Sequence, residues 1–86
     1  MRNILKIVGK HGSGKTKALQ TLAAAYGSTV FVLHEMGGAD RLDGKISAGN
    51  ADNTLVIDEV MPSHVPQIER LAALYPRNFF ILGLEG

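Results

Sequence analysis

Apolar positions along the chain fall into short continuous runs that alternate with segments of helical periodicity. The runs are rich in Val, Ile, Leu and Phe, a pattern that predicts strands. Four strands are predicted, over residues 4–8, 29–33, 54–57 and 78–84. Because the runs hardly alternate with polar residues, we expect the strands of a parallel sheet that is buried on both faces.

The segments between these strands have apolar residues spaced three and four apart, which predicts helices. One helix begins at Lys15 and ends before Gly27, a residue suited to the left-handed conformation at a helix end. Its buried face is expected to consist of Ala18, Leu19, Leu22, Ala23 and Tyr26. Further helices are predicted over 39–46 and from Pro66 onward. The alternation predicts a three-layer α/β/α fold with a short, mostly parallel four-stranded sheet.

Length and composition limit the class of protein. The 86 residues are expected to form one small domain, 1–86. The chain has no cysteine, which excludes a disulfide framework, a thiolate zinc site and a cysteine nucleophile. No apolar run approaches the roughly 18 residues that cross a bilayer, so we expect a cytoplasmic protein with no membrane partner.

Charge is unevenly distributed although its total is only +1. The first 34 residues contain five cations and no acid, and the remainder contains four cations and eight acids. A near-neutral total argues against a general polyanion binder, whereas a positive first third favours one focused anion site. Arg41 and Lys45 lie among aspartates in the 36–53 loop, so no basic patch supports a nucleic-acid partner.

The strongest motif lies between the first predicted strand and helix. Residues 9–16, GKHGSGKT, match G-x-x-x-x-G-K-[ST] at every position. Glycines let backbone N–H groups approach an anion, and a helix N-terminus adds partial positive charge at the same point. We therefore expect Lys15 to reach the β- and γ-phosphates of a nucleotide and the Thr16 hydroxyl to ligate Mg²⁺. The predicted nucleotide-binding residues are Gly9, His11, Gly12, Ser13, Gly14, Lys15, Thr16 and Lys17.

With this loop the chain resembles the P-loop nucleoside triphosphatases. Residues 55–59, LVIDE, are similar to the Walker B strand of that family, an apolar run that ends in an acid. The resemblance implies the strand order 1-4-3-2, ATP and Mg²⁺ as ligands, and Asp58 as a second magnesium-binding residue. A glutamate directly after that aspartate, here Glu59, is typical of the additional-strand catalytic glutamate division, which includes AAA+ and RecA-like proteins. The resemblance thus implies Glu59 and Lys15 as catalytic residues.

Several alternatives remain open within this resemblance. RecA-like members place the catalytic glutamate at the tip of the second strand, where this chain has Glu35. The guanine-reading motif N/T-K-x-D does not occur, so adenine is the expected base. The chain has one strand fewer than is usual in this division, so it resembles a minimal or truncated member.

The residues that speed hydrolysis in the family are not identified by motif in this chain. Residues 81–85 contain no polar sensor residue, and Arg41, Arg70 and Arg77 are candidates for an arginine finger by charge alone. We therefore expect slow ATP hydrolysis, with self-association or a protein partner needed to complete the site. The alternative functions are a nucleotide-dependent regulatory or assembly module with little hydrolysis, and a small-molecule kinase.

Overall fold

Strands and helices alternate along the chain. The structure, a computed structural model, describes residues 3–10, 14–33, 35, 37–47 and 53–85. The elements are β1 (Ile4–Gly9), α1 (Lys15–Ala25), β2 (Val30–Val32), α2 (Ala39–Ser47), β3 (Thr54–Val60), α3 (Val65–Leu74) and β4 (Phe79–Glu85). A short 3₁₀ helix, Pro62–His64, precedes α3. None of the helices within these ranges is long and apolar enough to cross a membrane.

The four strands form one sheet in the order β1-β4-β3-β2, and every pair of neighbours is parallel. The predicted α/β class and strand order are confirmed, and the sheet is entirely rather than mostly parallel. Because β4 lies between β1 and β3, the first and last of the described strands are neighbours. The central strands β3 and β4 supply most of the fully buried strand residues.

Alternate side chains of the central strands enter two separate apolar clusters, because successive side chains of a strand point to opposite faces. In the larger cluster, Leu55 and Ile57 of β3 pack with residues of α2 and α3. In the smaller cluster, Val56 of β3 and Ile81 of β4 pack with Leu19 of α1. Helix α1 therefore covers one face of the sheet, and α2 and α3 cover the other, as the predicted three layers require.

The two outer strands are more exposed than predicted. Leu5 and Val8 of β1 are 45% and 66% exposed, and β2 is half-buried throughout. A continuous apolar run predicts cover on both faces, but these strands form the edges of the sheet, where the helices give less cover. Ala18 and Tyr26, both predicted on the buried face of α1, are exposed. Tyr26 lies beyond the end of α1 at Ala25.

Helix α2 is attached to its neighbours by one buried leucine and by polar contacts. Leu42 is fully buried in the larger cluster. The Tyr75 hydroxyl, just beyond α3, donates a hydrogen bond of 2.5 Å to Asp43. That hydrogen bond, with burial and the nearby carboxylate charge as lesser causes, raises the pKa of Tyr75. On the opposite side, the Lys45 ammonium lies 5.9 Å from the centroid of the Phe31 ring.

Asn3 joins the start of β1 to the end of α3. Its side-chain amide donates to the carbonyl oxygens of Ala72 at 2.9 Å, Asn78 at 3.1 Å and Tyr75 at 3.4 Å. The last carbonyls of a helix have no partner within the helix, so a side-chain donor placed there satisfies them. This contact links residues that are distant in sequence and holds the amino end of β1 beside α3.

We expect Asn3→Ala to lower the free energy of unfolding by about 1–3 kcal/mol, because partly buried carbonyls lose their donor. Urea denaturation followed by circular dichroism measures this change. Gln20→Ala, at an exposed position of α1, is the control and should change stability by less than about 0.5 kcal/mol. Equal effects of the two substitutions would contradict the role given to Asn3.

Candidate functional site

The carboxyl ends of the parallel strands meet the first turn of α1. The edge of the sheet at which the strands finish is here called the carboxyl edge. Lys15 and Thr16 begin α1, Asp58 lies near the end of β3, and Leu84 lies near the end of β4. Ligand sites in open parallel sheets occur at this edge, because loops diverge there and helix N-termini point to it. These four residues therefore define the candidate site.

Lys15 extends from α1 into the protein rather than into solvent. Only 7% of the residue is exposed, and its ammonium nitrogen lies 3.8 Å from Asp58 Oδ1 and 3.5 Å from the Leu84 carbonyl oxygen. Burying an unpaired ammonium ion costs several kcal/mol, so the nearby carboxylate is needed for its stability. Both distances exceed the roughly 2.7–2.9 Å of strong charge-assisted hydrogen bonds. Asp58 therefore stabilises the ammonium by its charge, at a distance longer than that of a strong hydrogen bond.

Asp58 connects the two sequence motifs. The residue is 3% exposed, its Oδ2 accepts a hydrogen bond of 2.9 Å from the Thr16 hydroxyl, and its Oδ1 accepts one of 2.7 Å from the backbone N–H of Glu59. Together with Lys15, these donors offset the cost of removing a carboxylate from water. The structure thus brings together Lys15, Thr16 and Asp58, three of the residues that the sequence proposed for phosphate and magnesium.

Strand β3 contains a bulge directly after Ile57, where Asp58 and Glu59 lie. Ile57 is paired with Leu82 and Val60 with Leu84, so β3 has one residue more than β4 between these pairs. Glu59 has φ of 56°, the left-handed region that side chains other than glycine rarely adopt. Asp58 faces α1 by ordinary alternation from Val56. Because of the extra residue, Val60 enters the same cluster as Ile57 on the other face. The strained backbone of Glu59 is part of how the site is built.

A second left-handed residue precedes α1. Gly14 has φ of 89°, and its carbonyl oxygen accepts the hydrogen bond from Ala18 that starts the helix. An added Cβ at Gly14 would meet no atom within 4 Å, so glycine is needed for backbone conformation and not for space. The turn at Gly14 places Lys15 as the first residue of α1.

Of the remaining predicted nucleotide-binding residues, two lie within the described elements beside the candidate site and three do not lie among the described residues. Gly9 ends β1, and Lys17 is exposed on α1. His11, Gly12 and Ser13, the centre of the predicted phosphate loop, lie outside the described residues.

The alternative catalytic glutamate and the candidate arginine fingers lie away from Lys15, Thr16 and Asp58. Glu35 is exposed after β2 and lines an open groove, with Arg41 and Lys45 of α2 on its other wall. Arg70 of α3 lines a cleft between α2 and α3. Arg77 precedes β4 and so lies at the amino end of that strand, the edge opposite Lys15 and Asp58.

Sequence reasoning missed two contributions from β4. The carbonyl oxygen of Leu84, which faces Lys15, is a backbone atom and has no sequence signature. Gly83, beside Asp58, does have one, because a glycine inside a strand is typical of a close approach.

The oxygen atoms of Thr16 and Asp58 are suited to a magnesium ion that takes its remaining ligands from elsewhere. Within the described ranges there is no group of three or more His, Asp or Glu side chains that could hold a metal. Thr16 and Asp58 provide a hydroxyl and a carboxylate 2.9 Å apart, both hard oxygen donors. Mg²⁺ is usually bound by one or two carboxylates with several waters and phosphate oxygens, so this pair fits it.

Comparison of the chain with protein-family models, with curated proteins and with solved structures finds no match. A functional interpretation therefore rests on the motifs and on the contacts of the site.

We expect Glu59→Gly to have a free energy of unfolding about 1 kcal/mol higher than Glu59→Ala, because only glycine adopts positive φ without steric cost. Urea denaturation of both variants measures the difference. At Thr54, elsewhere on β3, the order should reverse, since glycine weakens an ordinary strand by about 0.5–1 kcal/mol relative to alanine. The same order at both positions would contradict the strain assigned to Glu59.

Proposed function

We propose that the chain is a P-loop nucleoside triphosphatase that binds ATP with Mg²⁺ and hydrolyses it slowly. One observation carries the proposal: the Thr16 hydroxyl of the GKHGSGKT segment lies 2.9 Å from the Asp58 carboxylate of the LVIDE segment. The two motifs are 42 residues apart in sequence, and each is chemically suited to its part of the site. Their contact at the carboxyl edge of a parallel sheet supports a shared ligand.

Phosphate binding follows from the start of α1. Unpaired N–H groups and partial positive charge are present at a helix N-terminus, and Lys15 adds a full charge there. In the structure Lys15 lies 3.8 Å from Asp58. Phosphate oxygens can form shorter charge-assisted hydrogen bonds with an ammonium ion, at about 2.7–2.9 Å. Phosphate oxygens can therefore form shorter contacts with Lys15 than Asp58 does.

Thr16 and Asp58 are the residues proposed to hold the magnesium ion. When bound, Mg²⁺ neutralises negative charge on the phosphate oxygens. The Thr16 hydroxyl donates a hydrogen bond to Asp58, which leaves the lone pairs of the hydroxyl oxygen available as ligands. Because both side chains are fixed before binding, little conformational entropy is lost when they receive the ion.

Glu59 is proposed as the general base. Its half-buried position next to Asp58 is fixed by its backbone N–H, which donates to Asp58 Oδ1. As the oxygen of a water molecule forms a bond to the γ-phosphorus, one of the water protons passes to the Glu59 carboxylate. The bond from the γ-phosphorus to the bridging oxygen breaks, and that oxygen leaves with ADP.

A completed site is proposed to need a second subunit or a protein partner. A cation that stabilises the charge of the transition state contributes about 10³–10⁵ to the rate of phosphoryl transfer. Arg77 lies at the opposite edge of the sheet, so it could reach a nucleotide only from a neighbouring molecule. If copies of the chain complete each other, ATP turnover per subunit rises with protein concentration.

We expect Lys15→Met to abolish binding of Mg·ATP, because the ammonium ion is lost while an apolar stem remains. Isothermal titration calorimetry measures the binding, after circular dichroism has shown that the variant is folded. Lys6→Met removes an exposed lysine of β1 and is the charge-matched control. Wild-type affinity of Lys15→Met would overturn the proposed site.

Loss of the partner of a buried carboxylate can cost about 3–5 kcal/mol, so Lys15→Met is also made in an Asp58→Asn background. In that double variant position 58 carries no charge, so no buried carboxylate is left without a partner. Its nucleotide affinity is compared with that of Asp58→Asn alone.

We expect Glu59→Gln to bind Mg·ATP normally and to reduce turnover about 10²–10⁴-fold, because the amide cannot accept the water proton. Phosphate release at high protein concentration measures turnover, and Glu35→Gln is the matched variant. Normal turnover by Glu59→Gln with an inactive Glu35→Gln would move the base to the end of β2.

The same assay separates the alternative functions. An ATP-dependent change of molar mass without phosphate release would favour a regulatory or assembly module. Transfer of the γ-phosphate to a metabolite would favour a kinase. A parallel titration with Mg·GTP tests the expected preference for adenine.

A further inference from the structure

We infer that Gly83 is a positioning residue for Asp58, because the space that any side chain at position 83 would need is occupied by the Asp58 carboxylate. Gly83 is buried within β4, opposite Ile7 of β1. The inference deepens the proposed function and rests on it for the role of magnesium. Its structural part, the control of the carboxylate by Gly83, can be tested without a nucleotide.

The geometry leaves no room for a Cβ atom at this position. Ile81 of β4 packs on the α1 face, so position 83 points to the same face. A Cβ built there would lie 2.8 Å from Asp58 Oδ1 and closer still to Cδ1 of Leu19. Real Cβ atoms essentially never approach other heavy atoms so closely, and nonbonded carbon atoms pack favourably only at roughly 3.5–4.0 Å. The carboxylate and the leucine therefore share the space above Gly83.

The carboxylate is the neighbour that cannot move aside. Cδ1 of Leu19 is the end of a flexible side chain, which can change rotamer. Asp58 is held at both oxygens, by the Glu59 N–H at 2.7 Å and the Thr16 hydroxyl at 2.9 Å. The Cα atom of Asp58 also lies only 3.6 Å from the Cβ built at position 83, so the backbone of Asp58 is already in contact with that atom.

A glycine inside a strand weakens that strand, so its presence in the central β4 needs a compensating reason. Its absent side chain lets the Asp58 carboxylate lie across β4 beneath the start of α1. From that position the carboxylate reaches Thr16 and remains 3.8 Å from Lys15. A side chain at position 83 would push Oδ1 away from the Glu59 N–H and would disturb the pair that is proposed to hold magnesium.

The first experiment compares ATP binding by Gly83→Ala in Mg²⁺ and in EDTA, by titration calorimetry. We expect the gain in affinity that Mg²⁺ provides to fall about tenfold or more, as when a supporting contact of a metal ligand is lost. Affinity in EDTA should stay within about threefold of wild type, because the phosphate-binding residues remain. Gly44→Ala is the matched control, since an added Cβ there meets no atom within 4 Å. An unchanged magnesium dependence of Gly83→Ala would overturn the inference.

The second experiment needs no nucleotide. Gly83→Ala is introduced into wild type, into Asp58→Ala and into Leu19→Val, which removes Cδ1. We expect the shift in the urea midpoint caused by Gly83→Ala to fall by about half or more in the Asp58→Ala background and to persist with Leu19→Val, because Leu19 can change rotamer to relieve its contact whereas the hydrogen-bonded carboxylate cannot. The reverse pattern would show that Gly83 only accommodates the apolar packing of α1.

If Gly83→Ala does not fold, it is combined with Asp58→Ala and Lys15→Met together, which leaves no unpaired buried ammonium ion, and separately with Leu19→Val. Recovery of folding in the first combination and not in the second supports the inference, and any other pattern overturns it. A wild-type chain that binds no nucleotide would overturn the proposed function, while the unfolding measurements would still decide whether Gly83 positions Asp58.

Discussion

The arrangement of this edge of the sheet depends on one buried carboxylate. Asp58 accepts hydrogen bonds from Thr16 and from the backbone of Glu59, and its charge stabilises the buried Lys15. Few apolar residues join α1 to the sheet, so these polar contacts also hold the first turn of the helix in place. The same contacts therefore serve both the packing of α1 and the proposed chemistry. A change at Asp58 would affect the fold and the site together.

The site has features that lower the free energy of unfolding, which is already small in a domain of this size. It contains a buried ion pair, a non-glycine residue with left-handed backbone at Glu59, and a glycine inside a central strand at Gly83. Strain and buried charge of this kind are concentrated at functional sites in proteins, because elsewhere they bring no benefit. Their presence at one edge of the sheet is a reason, independent of the motifs, to regard that edge as functional.

The sequence predicted the order of the elements and of the strands, because apolar runs and helical spacing are local signals and a resemblance supplied the topology. It also placed Thr16 and Asp58 at one edge, since strand ends meet there in any parallel sheet. It did not predict the exposure of β1, because an edge strand and a central strand have similar composition. Nor could it predict the bulge at Glu59, which depends on how β3 pairs with β4.

The position of β4 has a consequence for how the chain folds. This strand follows the other three in sequence, yet it lies between β1 and β3. Strand β1 cannot pair with β4 until β4 has been made, so this pairing is strongly non-local, a feature that slows folding. The pairing of β4 with both neighbours brings the end of β1 and the aspartate of β3 to one edge. A fragment that stops before Phe79 would therefore lack both a continuous sheet and an assembled site.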